Sequence, residues 1–184
     1  MSEFRRGNGS AWLDLLSTLA GRYRAVQDDS LASPALLREW LALNDLEPAA
    51  AVTDDDLVLT RSVREALHRV TLATMAGEAP VPTDVAQLQE ALSYDAPPAL
   101  SVARSGLVAG RPATAREALA RLVREAVSVL TGHELAHLRH CGDDMCSSVF
   151  LDRSGRRRWC TDLSCGNRSR VRAHRARSGP ADPE

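Results

Sequence analysis

Four cysteines constrain this chain more than any other feature. They fall in two equal pairs, Cys141-x4-Cys146 and Cys160-x4-Cys165, with thirteen residues between the pairs. Four thiolates at that spacing suit one tetrahedral zinc, whose structural sites accept sulfur ligands throughout and add no geometric demand of their own. The second pair runs into Gly166-Asn167-Arg168 and then Ser169-Arg170-Val171-Arg172-Ala173-His174-Arg175-Ala176-Arg177. The pattern predicts a metal-stapled segment that presents a basic helix.

Charge divides along the same line. Residues 1–138 carry 13 Arg against 18 Asp and Glu, residues 139–178 carry 10 Arg against 4 Asp, and residues 179–184 add Asp182 and Glu184. A zinc held by four thiolates adds about two negative charges, so the segment stays basic. An acidic body joined to a basic tail confines polyanion binding to the tail. No run approaches the roughly 20 apolar residues needed to cross a bilayer, and the N-terminus lacks a signal-peptide pattern. A cytoplasmic protein without a membrane partner is expected, and in that reducing compartment cysteines are ligands in preference to disulfides.

The body reads as helical. Trp12, Leu15, Leu16, Leu19 and Tyr23 recur at helical spacing from Ala11 to about Val26. Ser33-Pro34 caps a second helix carrying Leu36, Leu37, Trp40 and Leu41. Thr53 followed by Asp54, Asp55 and Asp56 opens a third, with Val63, Ala66, Leu67 and Val70 on its apolar stripe and a stop near Gly77. After Pro80 and Pro82, Thr83 is the expected cap of a short helix with Val85, Leu88 and Leu92. Leu100 to Ala109 suits a small β-hairpin. The capping box Thr114-Ala115-Arg116-Glu117 opens the clearest helix, with Ala118, Leu119, Leu122, Val123, Ala126, Val127 and Leu130 along one side. The expected fold is mainly α (α+β): a helical domain over 1–138, a zinc finger over 139–178 and a disordered tail over 179–184.

His133-Glu134-Leu135-Ala136-His137 matches the H-E-x-x-H pattern of zinc peptidases. It lacks a third ligand in a metzincin context, and Gly132 stands where a helix often ends, so no catalytic residue and no enzyme is expected. His137 and His140 lie within one turn of Cys141, which leaves open that one of them replaces a cysteine at the tail zinc.

Within the tail, Ser148 to Asp152 and Arg156 to Trp159 flank Arg153-Ser154-Gly155 as two short strands and a turn. With a helix whose first turn supplies the last two ligands, this describes a treble-clef-like finger. The run Phe150-Leu151-Asp152-Arg153-Ser154, then Arg157-Arg158-Trp159-Cys160 and Cys165-Gly166-Asn167-Arg168, resembles the CGNR zinc finger of bacterial proteins described as stress-induced transcription regulators. The resemblance implies that Cys141, Cys146, Cys160 and Cys165 hold one structural zinc and that the finger binds DNA. The body resembles the ABATE domain of the same proteins. Asp14 and Thr18 remain from its Asp-aromatic-x-Asn-Thr run, with Ser17 in place of Asn, and Val63-Arg64-Glu65-Ala66-Leu67 resembles its Leu-Arg-Glu-Ala-Leu segment. Ser147-Ser148 and Thr161-Asp162 depart from the family's usual Gly-Trp and Ser-Met.

On the terminal helix, Arg168, Arg172 and Arg175 lie on one side, and Arg170, His174 and Arg177 on another. One side is expected to reach bases while the other, with Arg156 and Arg157, grips the backbone. A single finger binds weakly at physiological salt, so a homodimer or a second partner is expected, and the body is expected to sense a small-molecule effector or to dimerise. The competing reading is an adaptor whose finger docks a protein instead of DNA.

Overall fold

A computed structural model describes residues 4–104 and 106–177, with side chains of the last helix described as far as Arg175. Six α-helices and three two-stranded antiparallel pairs lie within these residues: α1 Ala11–Leu16, β1 Leu19–Ala20, β2 Asp28–Asp29, α2 Pro34–Ala42, α3 Asp54–Ala76, α4 Pro82–Leu92, β3 Leu100–Ala103, β4 Gly106–Ala109, α5 Ala115–Thr131, β5 Leu138–His140, β6 Val149–Leu151 and α6 Asn167–Arg177. The protein is mainly α with small strand pairs, as the sequence predicts. The expected tail at 179–184 lies outside the described residues.

Short α1 is the centre of the body. Trp12, Leu13, Leu15 and Leu16 are all fully enclosed, as expected of a helix that is apolar around most of its circumference. It packs against α3 and α5, whose Val63, Leu67, Leu122 and Val123 close over it in one core. Capping defines the long helices. Thr53 Oγ1 accepts from Asp56 N while the Asp56 carboxylate accepts from Thr53 N, and Gly77 ends α3 at φ +73°. Ser33 caps α2, and Thr114 caps α5 by accepting from Glu117 N. The Glu117 side chain returns to Ala113 N, one residue earlier than a regular capping box places it.

Three expectations need correction. The first helix ends at Leu16, not near Val26. Thr18 Oγ1 turns back to donate to Leu15 O at 2.7 Å, the kind of local bond that competes with a helix. Leu19 and Ala20 then pair with Asp29 and Asp28 around Gly21 at φ +71°, which leaves Tyr23 and Val26 exposed. The cap of α4 is Val81, with Pro82 at the first helical position, so Thr83 lies inside the helix and Val85 is exposed.

The third concerns the finger. β6 pairs back with β5, Leu138 opposite Leu151 and His140 opposite Val149, instead of forward with residues 156–159. The Asp152 carboxylate gathers Ser154 N, Ser154 Oγ and Arg157 N, which curls the chain into a compact turn where the second strand was expected. The remaining link is one backbone bond from Gly142 N to Arg158 O. Leu138, Val149 and Leu151 face the body core, so one side of the β5–β6 pair belongs to the body.

Candidate metal centre and nucleic-acid interface

The sulfurs of Cys141, Cys146, Cys160 and Cys165 all lie within 4.8 Å of one another. Cys146 to Cys160 is 3.7 Å and Cys160 to Cys165 is 3.5 Å. A tetrahedron of thiolates at a Zn–S distance of about 2.3 Å has edges of about 3.8 Å, so the spacing fits zinc without rearrangement. Cys141 and Cys146 come from the loop after β5. Cys160 and Cys165 flank a turn capped by Thr161, whose Oγ1 accepts from Ser164 N, and that turn leads directly into α6.

Four thiols this close cannot all ionise unaided. Hydrogen bonds from Cys141 and Cys160 pull the Cys146 thiol down, while hydrogen bonding with Cys141 and Cys146 pushes Cys160 up. A divalent cation resolves the conflict by taking every sulfur as thiolate. Three further donors face this charge: Cys160 N at 3.4 Å from Cys141 Sγ, and Arg168 Nη2 at 3.0 Å and Ser164 Oγ at 3.9 Å from Cys165 Sγ. The four cysteines form a structural zinc site, with Phe150 and Trp159 packed against them.

Neither His137 nor His140 joins a ligand cluster among the described residues. The H-E-x-x-H stretch folds as a single 3-10 turn, His133–His137, after α5 stops at Gly132. With three residues per turn, positions four apart point about 120° away from each other, so the two histidines do not share a face. Glu134 instead accepts from Arg153 Nε at 2.7 Å.

The structure divides the arginines expected to reach DNA into tethered and free groups. Asp143, with its side chain fully enclosed, receives Arg168 Nε at 2.9 Å and also Arg172 Nη2. Burial alone would raise its pKa, but the Arg172 hydrogen bond, Met145 N and both guanidinium charges hold the carboxyl below its usual range. Arg170 donates to Asn167 Oδ1 and the Asp162 carbonyl and lies over the Trp159 ring. Arg157 is the most committed: it donates to the carbonyls of Trp159, Cys160 and Gly7 and stacks 4.5 Å from the Phe150 centroid. The side chains of Arg156, His174 and Arg175 are exposed and make no hydrogen bond or ion pair among the described residues. The Arg177 side chain lies outside them. Gly166 leaves the room this arrangement needs, because a Cβ there would stand 3.0 Å from Asp162 Oδ1 and 3.5 Å from Trp159.

Family models now account for most of the chain. One described as "Putative stress-induced transcription regulator", ABATE, matches residues 9–133, and one for the CGNR zinc finger matches residues 137–178. The chain belongs to the ABATE family and ends in a CGNR zinc finger. Among curated proteins none matches the sequence.

Two features of this ABATE chain were not visible beforehand. Asp143 carries no motif signal beyond being one of few acids in a basic tail. The body's Asp14 is buried inside α1 and accepts from Gly7 N, Asn8 N and Asn8 Nδ2. Asn8 in turn bonds Ser17 Oγ, which meets Ser148 Oγ at 3.3 Å, and Asn8 O accepts from Leu151 N at 2.7 Å. Asp14, which carried part of the family resemblance, thus anchors Asn8, and Asn8 and Ser17 hold the finger onto the body. His68 completes the seam: its Nε2 donates to the Ser147 carbonyl at 3.2 Å.

Proposed function

We propose that this protein is a non-enzymatic, cytoplasmic, DNA-binding transcriptional regulator in which the zinc-fixed finger presents α6 to DNA and the helical body responds to an effector or to a second subunit. The observation that carries the reading is the surface of α6: every side chain from Val171 to Arg175 is exposed, in a segment with 10 Arg against 4 Asp over residues 139–178. A helix with so little to bury is stable only when something else orients it. Here Asp143 orients it through Arg168 and Arg172. The tethered arginines set the helix direction, while Arg175, His174 and Arg156 are free to meet phosphate or base edges.

The test is a gel shift with the zinc-loaded full chain across a salt series. Four to six phosphate contacts give a slope of log affinity against log salt between about −3.5 and −5.5. Arg175→Ala should weaken binding and flatten the slope by about one contact, and Cys160→Ser should abolish it. Equal binding by Cys160→Ser would overturn the reading.

The adaptor alternative has one observation in its favour. Leu163 is 86% exposed and Val171 is half exposed, leaving apolar side chains among the arginines. Capture of a protein after nuclease treatment, with no gel shift at low salt, would select it.

A further inference from the structure

Body and finger meet along a seam, and two adjoining cavities open there. The smaller, about 30 Å³, is lined by Arg5, Ser17, Gly21, Arg24, Ser148 and Arg168, among others. The wider, about 470 Å³, shares Arg5 and Ser17 and adds Phe4, Ser30, Thr161 and Ser164. Three arginines therefore line the smaller cavity from distant parts of the chain: before α1, from the β1–β2 loop and from α6. No Asp or Glu lines it among the described residues, and the one acidic group on its wall is the zinc ligand Cys146. Arg5 and Arg24 make no side-chain hydrogen bond or ion pair among the described residues, whereas most body arginines are paired with acids. Converging like charges repel one another unless an anion joins them.

We propose that this seam binds a small phosphate monoester, with the phosphate in the smaller cavity and a neutral, hydroxyl-bearing remainder in the wider one. A space of about 30 Å³ admits one compact polar group, since about 10–15 Å³ already suffices for a water. A dianionic phosphate with three acceptor oxygens matches the two forks of Arg5 and Arg24, with the charge of Arg168 beside them, better than a carboxylate with two. Ser17 and Ser148 add hydroxyls from the two sides of the seam. The wider cavity falls within the usual range for small-molecule sites. Its hydroxyls at Ser30, Thr161 and Ser164 suit a polyol, and Arg6 and Asp28 on its wall offset one another in charge. Because Arg168 also bonds Asp143 and Cys165, the bound phosphate bears directly on the start of α6.

That this occupant acts as the effector rests on the regulator reading above; that it binds does not. The experiment is calorimetric titration of the zinc-loaded full chain at constant ionic strength, with inorganic phosphate, ribose 5-phosphate and ribose as probes. Saturable one-to-one binding of both phosphates is expected, tighter for ribose 5-phosphate, with none for ribose. Arg5→Gln and Arg24→Gln should each weaken it at least tenfold, and Arg175→Gln, which removes the same charge farther along α6, should leave it unchanged. Zinc content and melting temperature verify that each variant is folded. Absence of saturable binding, ribose binding as tightly, or equal weakening by Arg175→Gln would overturn the site. DNA takes no part in the titration, so its failure leaves the DNA reading standing, and loss of the gel shift leaves the phosphate site standing without a regulatory role.

Discussion

The body and the finger solve the same problem, holding a chain in one conformation, with different materials. The body encloses Trp12, Leu13, Leu15, Leu16, Trp40 and Leu67 completely, and its central charge is enclosed with them. Arg64, 2% exposed, donates to both Asp29 oxygens, to Glu65 and to Thr18. In the finger the buried cluster consists of Phe150 and three cysteines, with Cys146 and Trp159 against it. A core with one fully enclosed aromatic cannot offset the entropy of ordering the segment. The metal is what the finger has in place of a core, and Arg168 and Arg172 are held by the single enclosed carboxylate of Asp143 instead of by a network of several acids.

The largest effect expected from this contrast follows metal removal. Structural zinc contributes on the order of 10 kcal/mol to folding a small finger. Chelation or Cys165→Ser should therefore abolish α6 helicity and the Trp159 environment while a cooperative thermal transition of the body survives, as measured by circular dichroism and Trp fluorescence. Loss of both regions in one transition would break the comparison. Arg64→Ala tests the other side: it removes the buried partner that Asp29 and Glu65 share, leaves them only Arg61 and Arg22, and should cost about 3 kcal/mol in urea unfolding, with zinc content unchanged.

The smallest effect sits at the boundary. Burial, and then the Arg22 charge, lowers the His68 pKa from 6.5 to about 4. The unfolded chain therefore binds a proton between about pH 6.5 and pH 4 that the folded chain does not. Stability should be level in this respect above pH 6.5 and fall as the pH drops toward 4, by up to about 3 kcal/mol. Urea midpoints for His68→Gln should lack the part of that decline lying between pH 6.5 and 5. An identical decline in the variant would sink the assignment.

Much of the architecture was legible because it is written locally. Ser33, Thr53 and Thr114 cap the helices they were expected to cap, the hairpin at Leu100 to Ala109 forms, and cysteine spacing identifies the ligands. The misreadings share a physical cause. Periodicity extended the first helix through Tyr23, but Thr18 turns back to Leu15 O and accepts from Arg64, 46 residues away, a tertiary bond that fixes the local turn. Likewise β6 found its partner upstream because Leu138, Val149 and Leu151 have a core to face, which nothing in the tail's own sequence reveals. The burial of Asp143 depends on the metal having already brought the two cysteine pairs together.

The crossing of the first described residues over β6 has a consequence for how the chain is made. Asn8 O accepts from Leu151 N, Gly7 O accepts from Arg157, and Gly9 stands where a Cβ would collide with Leu151. These links span more than 140 residues and can form only after the finger's strand has been synthesised. Residues 7–9 must then wait for more than 140 further residues to be made before they can settle.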